Sequence, residues 1–113
     1  MLSFSSSRRI FLLRAPTDMR RGIDRLVSTV IAEFREDPRA GDCFVFIGRD
    51  RRRLKVLAWD EGGYWLCAKR LDAGSFALPN SVEATAVVSA TQMHLLLAGI
   101  DVKSARYRKR LTH

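Results

Sequence analysis

Arg49-Asp50-Arg51-Arg52-Arg53 and Lys55 set five cations and one acid within seven residues of this 113-residue chain. The planar fork of arginine matches a pair of phosphate oxygens or a guanine edge, so the chemistry this run suits is the holding of oxyanions. Gly48 to Arg53 contains no apolar residue and stands between two apolar runs, which predicts an exposed hairpin tip suited to straddling a phosphate backbone. Charges at such a tip also block edge-to-edge pairing of strands, a role that needs no ligand.

Other cations recur at spacings with a physical meaning. Arg21 and Arg25 stand four residues apart with Ser28 beside them. On a helix, like charges at that spacing cost about 0.2–0.5 kcal/mol, which an anionic partner would relieve. Arg20 precedes Asp24 by four and is expected to pair with it. Arg20 and Arg21 are also expected in the first helical turn, where free backbone donors add to the positive potential. Lys69-Arg70 ends a strand pattern, so one of the two should point to each face, the inward one snorkelling or pairing with Asp60 or Glu61. Lys103, Arg106, Arg108, Lys109 and Arg110, with Tyr107 among them, form a basic tail suited to wrapping a phosphate backbone and stacking on a base. Trp59 and Trp65, on either side of Gly62-Gly63, read as facing each other in a sheet core.

Catalytic constellations are thin by comparison. Two-metal nuclease chemistry needs converging carboxylates, whereas Asp18, Asp24, Asp60, Glu61 and Asp101 read as caps, turns and ion-pair partners. His94 is the one histidine in a patterned region, and no nucleophile with a paired base is visible. Cys43 and Cys67 lie apart without a C-x-x-C spacing, which predicts two reduced, packed thiols rather than a zinc site or a disulfide. The expectation is a chain with no catalytic residues, metal or cofactor.

Composition agrees on the class of partner. Twenty basic against 12 acidic residues leave a formal charge of +8, and a polyanion relieves the self-repulsion this causes. No stretch approaches the run of about 20 apolar residues that spans a bilayer, and Met1 to Ser7 lacks the pattern of a secretory leader. A cytoplasmic protein with a nucleic-acid partner and no membrane role is expected.

The elements that must position these groups follow from periodicity. Residues 9–14 read as a short strand stopped at Ala15-Pro16. Thr17 is expected to cap a long helix whose stripe is Met19, Ile23, Leu26, Val27, Val30, Ile31 and Phe34, ending near Glu36 before the Asp37-Pro38 turn. Cys43 to Ile47, a continuous apolar run, predicts a strand covered on both faces. Leu54 to Asp60 and Tyr64 to Leu71 follow as strands joined by a tight glycine hairpin, making an antiparallel meander. Phe76 to Pro79 reads as a short edge strand. Ser89 and Gln92 stand at the spacing of a capping box for a brief helix carrying Met93, Leu96 and Leu97, which ends at Gly99 with Ile100 folding back. The fold class expected is α+β: one domain over residues 1–101, its two helices on one face of an antiparallel sheet, followed by the basic tail 102–113.

One longer pattern stands out. Pro16-Thr17-Asp18-Met19-Arg20-Arg21-Gly22-Ile23-Asp24 with Leu26 resembles the P-x-D-M-R-[KR]-G-[FI]-D-x-L signature of the TnpB accessory proteins of insertion sequences of the IS-sixty-six type. In the same order follow Asp37-Pro38, Gly41, Phe44-Val45-Phe46, Gly48-Arg49, Lys55, Trp59-Asp60, Gly62-Gly63 and Lys69-Arg70-Leu71. Gly74, Phe76, Pro79 and Leu96-Leu97-Ala98-Gly99-Ile100-Asp101 complete the series. Ala58, Ala68 and Leu78 stand where the family carries aromatic residues, which shrinks the aromatic surface of that sheet face, and the Arg51-Arg52-Arg53 tip is more basic than the common pattern. The resemblance implies a role in transposition beside a separately encoded DDE transposase and a small helix-turn-helix protein. Together with the charge pattern it gives the expectation of a non-catalytic accessory protein that grips transposon-end DNA with little sequence choice through Arg20, Arg21, Arg25, the Arg49 to Lys55 loop, Lys69-Arg70 and the tail. An adaptor docking on the transposase without touching DNA is the alternative.

Overall fold

The computed structural model describes residues 8–79 and 81–99. Strand β1 is Ile10–Leu13, helix α1 is Ile23–Thr29 continued by a π-helical turn Val30–Phe34, and strands β2, β3 and β4 are Cys43–Ile47, Arg53–Asp60 and Gly63–Arg70. Strand β5, Thr85–Val88, and helix α2, Ala90–Leu97, complete the fold. The sheet order is β4-β3-β2-β1-β5. β2, β3 and β4 pair antiparallel in succession, but β1 lies parallel to β2 and antiparallel to β5. The class is therefore α+β, as expected, on a mixed rather than a purely antiparallel sheet.

The parallel pair follows from the helix between its strands, because parallel neighbours need a long crossover where antiparallel ones need only a turn. It also explains the unbroken apolar runs. Every residue of β1 and β2 is buried, since each strand is covered on both faces. Ile10, Leu12, Cys43, Val45, Ile47, Leu54, Val56 and Ala58 join Met93 and Leu96 of α2 in one core. Phe11, Leu13, Phe44, Phe46 and Leu57 join Leu26, Val30 and Phe34 of α1 in the other. The helices thus sit on opposite faces, a correction to the single-face expectation, and alternation along β2 feeds both cores.

The α1 side is an aromatic cluster. Phe11 and Phe44 stack with centroids 5.4 Å apart, and Phe34 meets Phe11, Phe44 and Phe46 edge-on at 6.0, 5.2 and 5.9 Å. Each such pair adds about 0.5–1.5 kcal/mol beyond the area it buries.

Several local expectations hold. Ser89 and Gln92 form a reciprocal capping box, and Gly99 takes φ +74° behind the last turn of α2, while Ile100 falls outside the described residues. The β3–β4 hairpin turns on Glu61 and Gly62, at φ 45° and 86°, so the strained pair is one residue earlier than the two glycines suggest, and Gly63 already belongs to β4.

Others are corrected. α1 begins at Ile23 with Gly22 at its cap and no side-chain bond there, so it is shorter than the periodicity predicts. Thr17 cannot cap it: its N–H donates to Ile47 O at 2.9 Å, and Asp18 instead organises the next turn, accepting from Arg20 N at 2.9 Å while Arg21 N donates to Asp18 O at 3.1 Å. Phe76 to Pro79 is not a strand. Phe76 is fully buried, its N–H bonded to Arg51 O.

Phe44→Ala, which empties the centre of the aromatic cluster, should lower unfolding stability by about 3–5 kcal/mol. Urea denaturation measures it, and a loss below about 1 kcal/mol would contradict the central place given to β2.

Candidate nucleic-acid interface

Parallel pairing of β1 with β2 sends the chain out of both strands at the same end of the sheet, and the β2–β3 register brings the start of β3 and the end of β4 to that end too. The segment 14–22, the turn 48–52 and the segment after β4 are therefore neighbours. Main-chain bonds stitch them together. Gly48 N donates to Arg53 O at 2.9 Å and Arg51 N to Gly48 O at 2.9 Å, while Leu71 N donates to Arg52 O at 2.8 Å and Phe76 N to Arg51 O at 2.6 Å. Asp50 Oδ1 accepts from Arg52 N at 2.9 Å, an Asx turn that fixes the tip. The arginine run is a hairpin turn, as expected, and its backbone is anchored.

Arg49, Arg51 and Arg52 are exposed and have no ion-pair partner among the described residues. Arg53 has only a long contact, Nε to Asp50 Oδ2 at 3.8 Å. It also stands directly opposite Arg70 across the β3–β4 ladder, where two like charges repel. Arg53, Lys55, Lys69, Arg70 and Asp72 line one open groove together with Met19 and Ala68. Lys55 Nζ donates to Arg21 O at 2.9 Å and Lys69 Nζ to Leu97 O at 2.7 Å. The second bond satisfies a carbonyl at the end of α2, where a cation is favoured. Lys69 and Arg70 do point to opposite faces, but neither meets Asp60 or Glu61, which lie at the far end of the sheet.

The α1 cations divide. Arg20, whose side chain is 90% exposed, pairs with Asp18 through Nε and Nη2, at 3.1 and 2.9 Å, rather than with Asp24. Both Arg20 and Arg21 precede the helix instead of lying in its first turn. Arg21 Nη1 donates to Thr29 Oγ1 at 3.0 Å, while its Nε is buried without a partner. Arg21 and Arg25 share a shallow groove with Ser28 and Thr29 on the flank of α1. Lys103, Arg106, Arg108, Lys109 and Arg110 lie outside the described residues.

At the opposite end of the sheet a cation is paired with carboxylates. Arg9 holds the buried Asp42 with both arms of its fork, at 3.3 and 2.9 Å, and reaches Glu36 at 3.2 Å. Asp60 ends β3 there and Glu61 opens the turn. Trp59 and Trp65 do not face each other. Trp59 opposes Tyr64, meeting it edge-on at 4.9 Å, and carries Arg39 over its ring at 4.8 Å. Trp65 opposes Ala58 on the other face and is 46% exposed.

Among the described residues, no group of three His, Cys, Asp or Glu could hold a metal ion, and no helix is long and apolar enough to cross a membrane. Cys43 and Cys67 are free thiols, and burial pushes the Cys43 thiol above its ordinary range.

One participant escaped the sequence reading. Thr17, expected as a helix cap, is buried with its hydroxyl unpaired and lines a cleft with Pro16, Asp18, Met19, Arg49 and Arg53. The sequence carries no signal for it, since the P-x-D-M-R signature leaves position 17 open.

The family model described as IS66 Orf2 like protein matches residues 8–107. Two proteins of Sinorhizobium fredii (strain NBRC 101917 / NGR234) are similar. The uncharacterized protein y4jC is 36% identical over 101 residues, 89% of this chain and 86% of its own length, and the uncharacterized protein y4hO is 37% identical over 101 residues, 89% and 88%. No solved structure matches.

The Arg20 guanidinium holds the Asp18 carboxylate far below the ordinary carboxylate range. A depressed folded value makes the contribution of this exposed pair fully present above the ordinary carboxylate range and lost as pH falls through the lowered value. Carboxyl-carbon NMR should show Asp18 still ionised where free carboxylates are half protonated. An ordinary midpoint, or one unmoved by Arg20→Gln, would refute the pairing.

Proposed function

We propose that this chain, which belongs to the IS66 Orf2-like family of transposition-associated proteins, works as a non-catalytic accessory protein that binds DNA through the cationic end of its sheet and assists a separately encoded transposase. The observation that carries the reading is the gathering of Arg49, Arg51, Arg52, Arg53, Lys55 and Arg70 on one stitched rim, with Arg53 and Arg70 opposed across a ladder. Two cations set against each other repel, and a phosphate backbone lying between them turns that repulsion into attraction on both sides. A rim made of cations suits phosphate oxygens above all, so the grip is mainly electrostatic with little sequence choice.

Cytoplasmic location and a transposase partner belong to the same proposal. Exposed apolar side chains offer that partner a contact: Ile31 in the π-helical turn, 57% exposed, and Val87 on the edge strand β5, 65% exposed. They also favour the second reading, an adaptor that docks on the transposase and leaves DNA alone.

Binding of a short duplex should weaken steeply between about 50 and about 200 mM salt, and replacing Arg51, Arg52 and Arg53 with glutamine should flatten the slope of log K against log salt by about 2 to 3, near 0.9 per lost phosphate contact. Affinity that stays flat with salt in the intact protein would sink the DNA reading. The adaptor reading predicts instead that the complex with the transposase survives nuclease treatment while the duplex is not bound.

A further inference from the structure

We infer that the free edge of β4 pairs with the β4 edge of a second copy of this chain, antiparallel and centred on Cys67, so that two sheets become one continuous sheet. Such a dimer goes beyond the DNA reading and does not rest on it.

β4 is an outer strand of the sheet and runs for eight residues, twice the four of β5 at the other edge. Its ladder with β3 is continuous from Arg53 opposite Arg70 to Asp60 opposite Gly63, and the strand contains no proline. Of the devices that blunt an edge, short length, bulge, proline or charge, only Lys69 and Arg70 are present. Leu71 N donates to Arg52 O, whereas Arg53 O accepts from Gly48 N on the β2 side. Because the direction of bonding alternates along an antiparallel strand, Gly63, Trp65, Cys67 and Lys69 give their main-chain groups to β3, while Tyr64, Leu66, Ala68 and Arg70 turn theirs outward. Those outward groups meet no other element among the described residues.

One antiparallel register matches every outward residue with another: Tyr64 with Arg70 of the second copy and Leu66 with Ala68. Cys67 then stands opposite Cys67 of the second copy on a twofold axis. Residues opposed in this way lie on the same face and touch. Trp65, opposite Ala58 on the α2 side and 46% exposed, meets Lys69 of the second copy; Tyr64, packed on the α1 core, meets Arg70. Each cation of the edge therefore falls on an aromatic ring, which attracts it. A parallel in-register pair would instead set Lys69 on Lys69 and Arg70 on Arg70. The hairpin is polarised in the same sense, with the Asp60-Glu61 turn at one end and Lys69-Arg70 at the other, and none of these has an ion-pair partner among the described residues. Antiparallel pairing lays the unlike ends side by side. The complementarity selects another copy of this chain, and a twofold contact uses up both edges at two copies.

Sedimentation equilibrium of the full-length, nuclease-treated, reduced protein should give twice the 12.8 kDa of one chain. Ala68→Pro removes an outward N–H that takes no part in the β3 ladder, so it should leave the fold intact and weaken the dimer about tenfold or more. Arg70→Glu lifts the repulsion from Arg53, so it should melt at the same or a higher temperature and yet weaken the dimer about fivefold or more. In this register the opposed Cys67 residues form a non-hydrogen-bonded pair with Cα atoms about 4.5 Å apart, inside the range a disulfide spans. Oxidation by diamide should therefore link the two chains, a product that Cys67→Ser abolishes and that the fully buried Cys43 cannot supply. A monomer at every concentration, a dimer that does not cross-link through Cys67, or one indifferent to both substitutions would overturn the pairing. So would a monomer whose Leu66 and Ala68 amides exchange slowly with solvent, since its edge is then covered from within the chain. Duplex binding and its salt dependence are read separately and can stand or fall without the dimer.

Discussion

The parallel contact between β1 and β2 governs the rest of the molecule. A parallel pair cannot be closed by a turn, so α1 must carry the chain back across one face, and α2 covers the other. Strands enclosed in this way have no wet face, which is why Ile10-Phe11-Leu12-Leu13 and Cys43-Phe44-Val45-Phe46-Ile47 are apolar at every position. The same pairing decides where the chain leaves the sheet. Leu13 and Phe46 are register partners, so the segment after β1 and the turn after β2 emerge side by side.

That coincidence separates the charges. At the end where β1 and β2 begin, Arg9 closes on Asp42 and Glu36, a compact network that joins two strand ends. At the end where they finish, two carboxylates are occupied locally: Asp18 by Arg20, and Asp50 by the Arg52 amide of its own turn. Arg49, Arg51, Arg52 and Arg70 have no ion-pair partner among the described residues. Holding like charges together costs free energy, and the main-chain bonds that tie residues 48, 51, 52, 53, 71 and 76 to one another hold them there without help from a counter-ion.

What the sequence shows of this is uneven, for physical reasons. Cys43 to Ile47 announces a strand covered on both sides because the apolar run is short, bounded by turn residues and rich in aromatic and β-branched side chains, and Ser89 with Gln92 announces a helix start because both bonds are local. The parallel partner of β2 is invisible, since β1 is apolar whichever neighbour it takes and the choice rests on contacts more than 30 residues apart. The early start of α1 misleads because Met19 falls on the helical stripe by spacing yet reaches Gly48 from a loop. Cations before Gly22 oppose the helix dipole, whereas Asp24 in the true first turn agrees with it. The arginine tip is legible as a cluster; its meeting with Thr17 and Asp18 is not, because tertiary pairing alone creates that neighbourhood.

Fold and charge are therefore written in different atoms at the cationic end. The backbone of the 48–53 turn is held by its own amides and by the 71 and 76 amides, so the outward side chains of Arg49, Arg51 and Arg52 are free to vary in number without loosening the turn. Gly48 and Thr17 lack that freedom. A Cβ at 48 would collide with Met19, and any residue at 17 must give its N–H to Ile47 while filling a buried position between two turns.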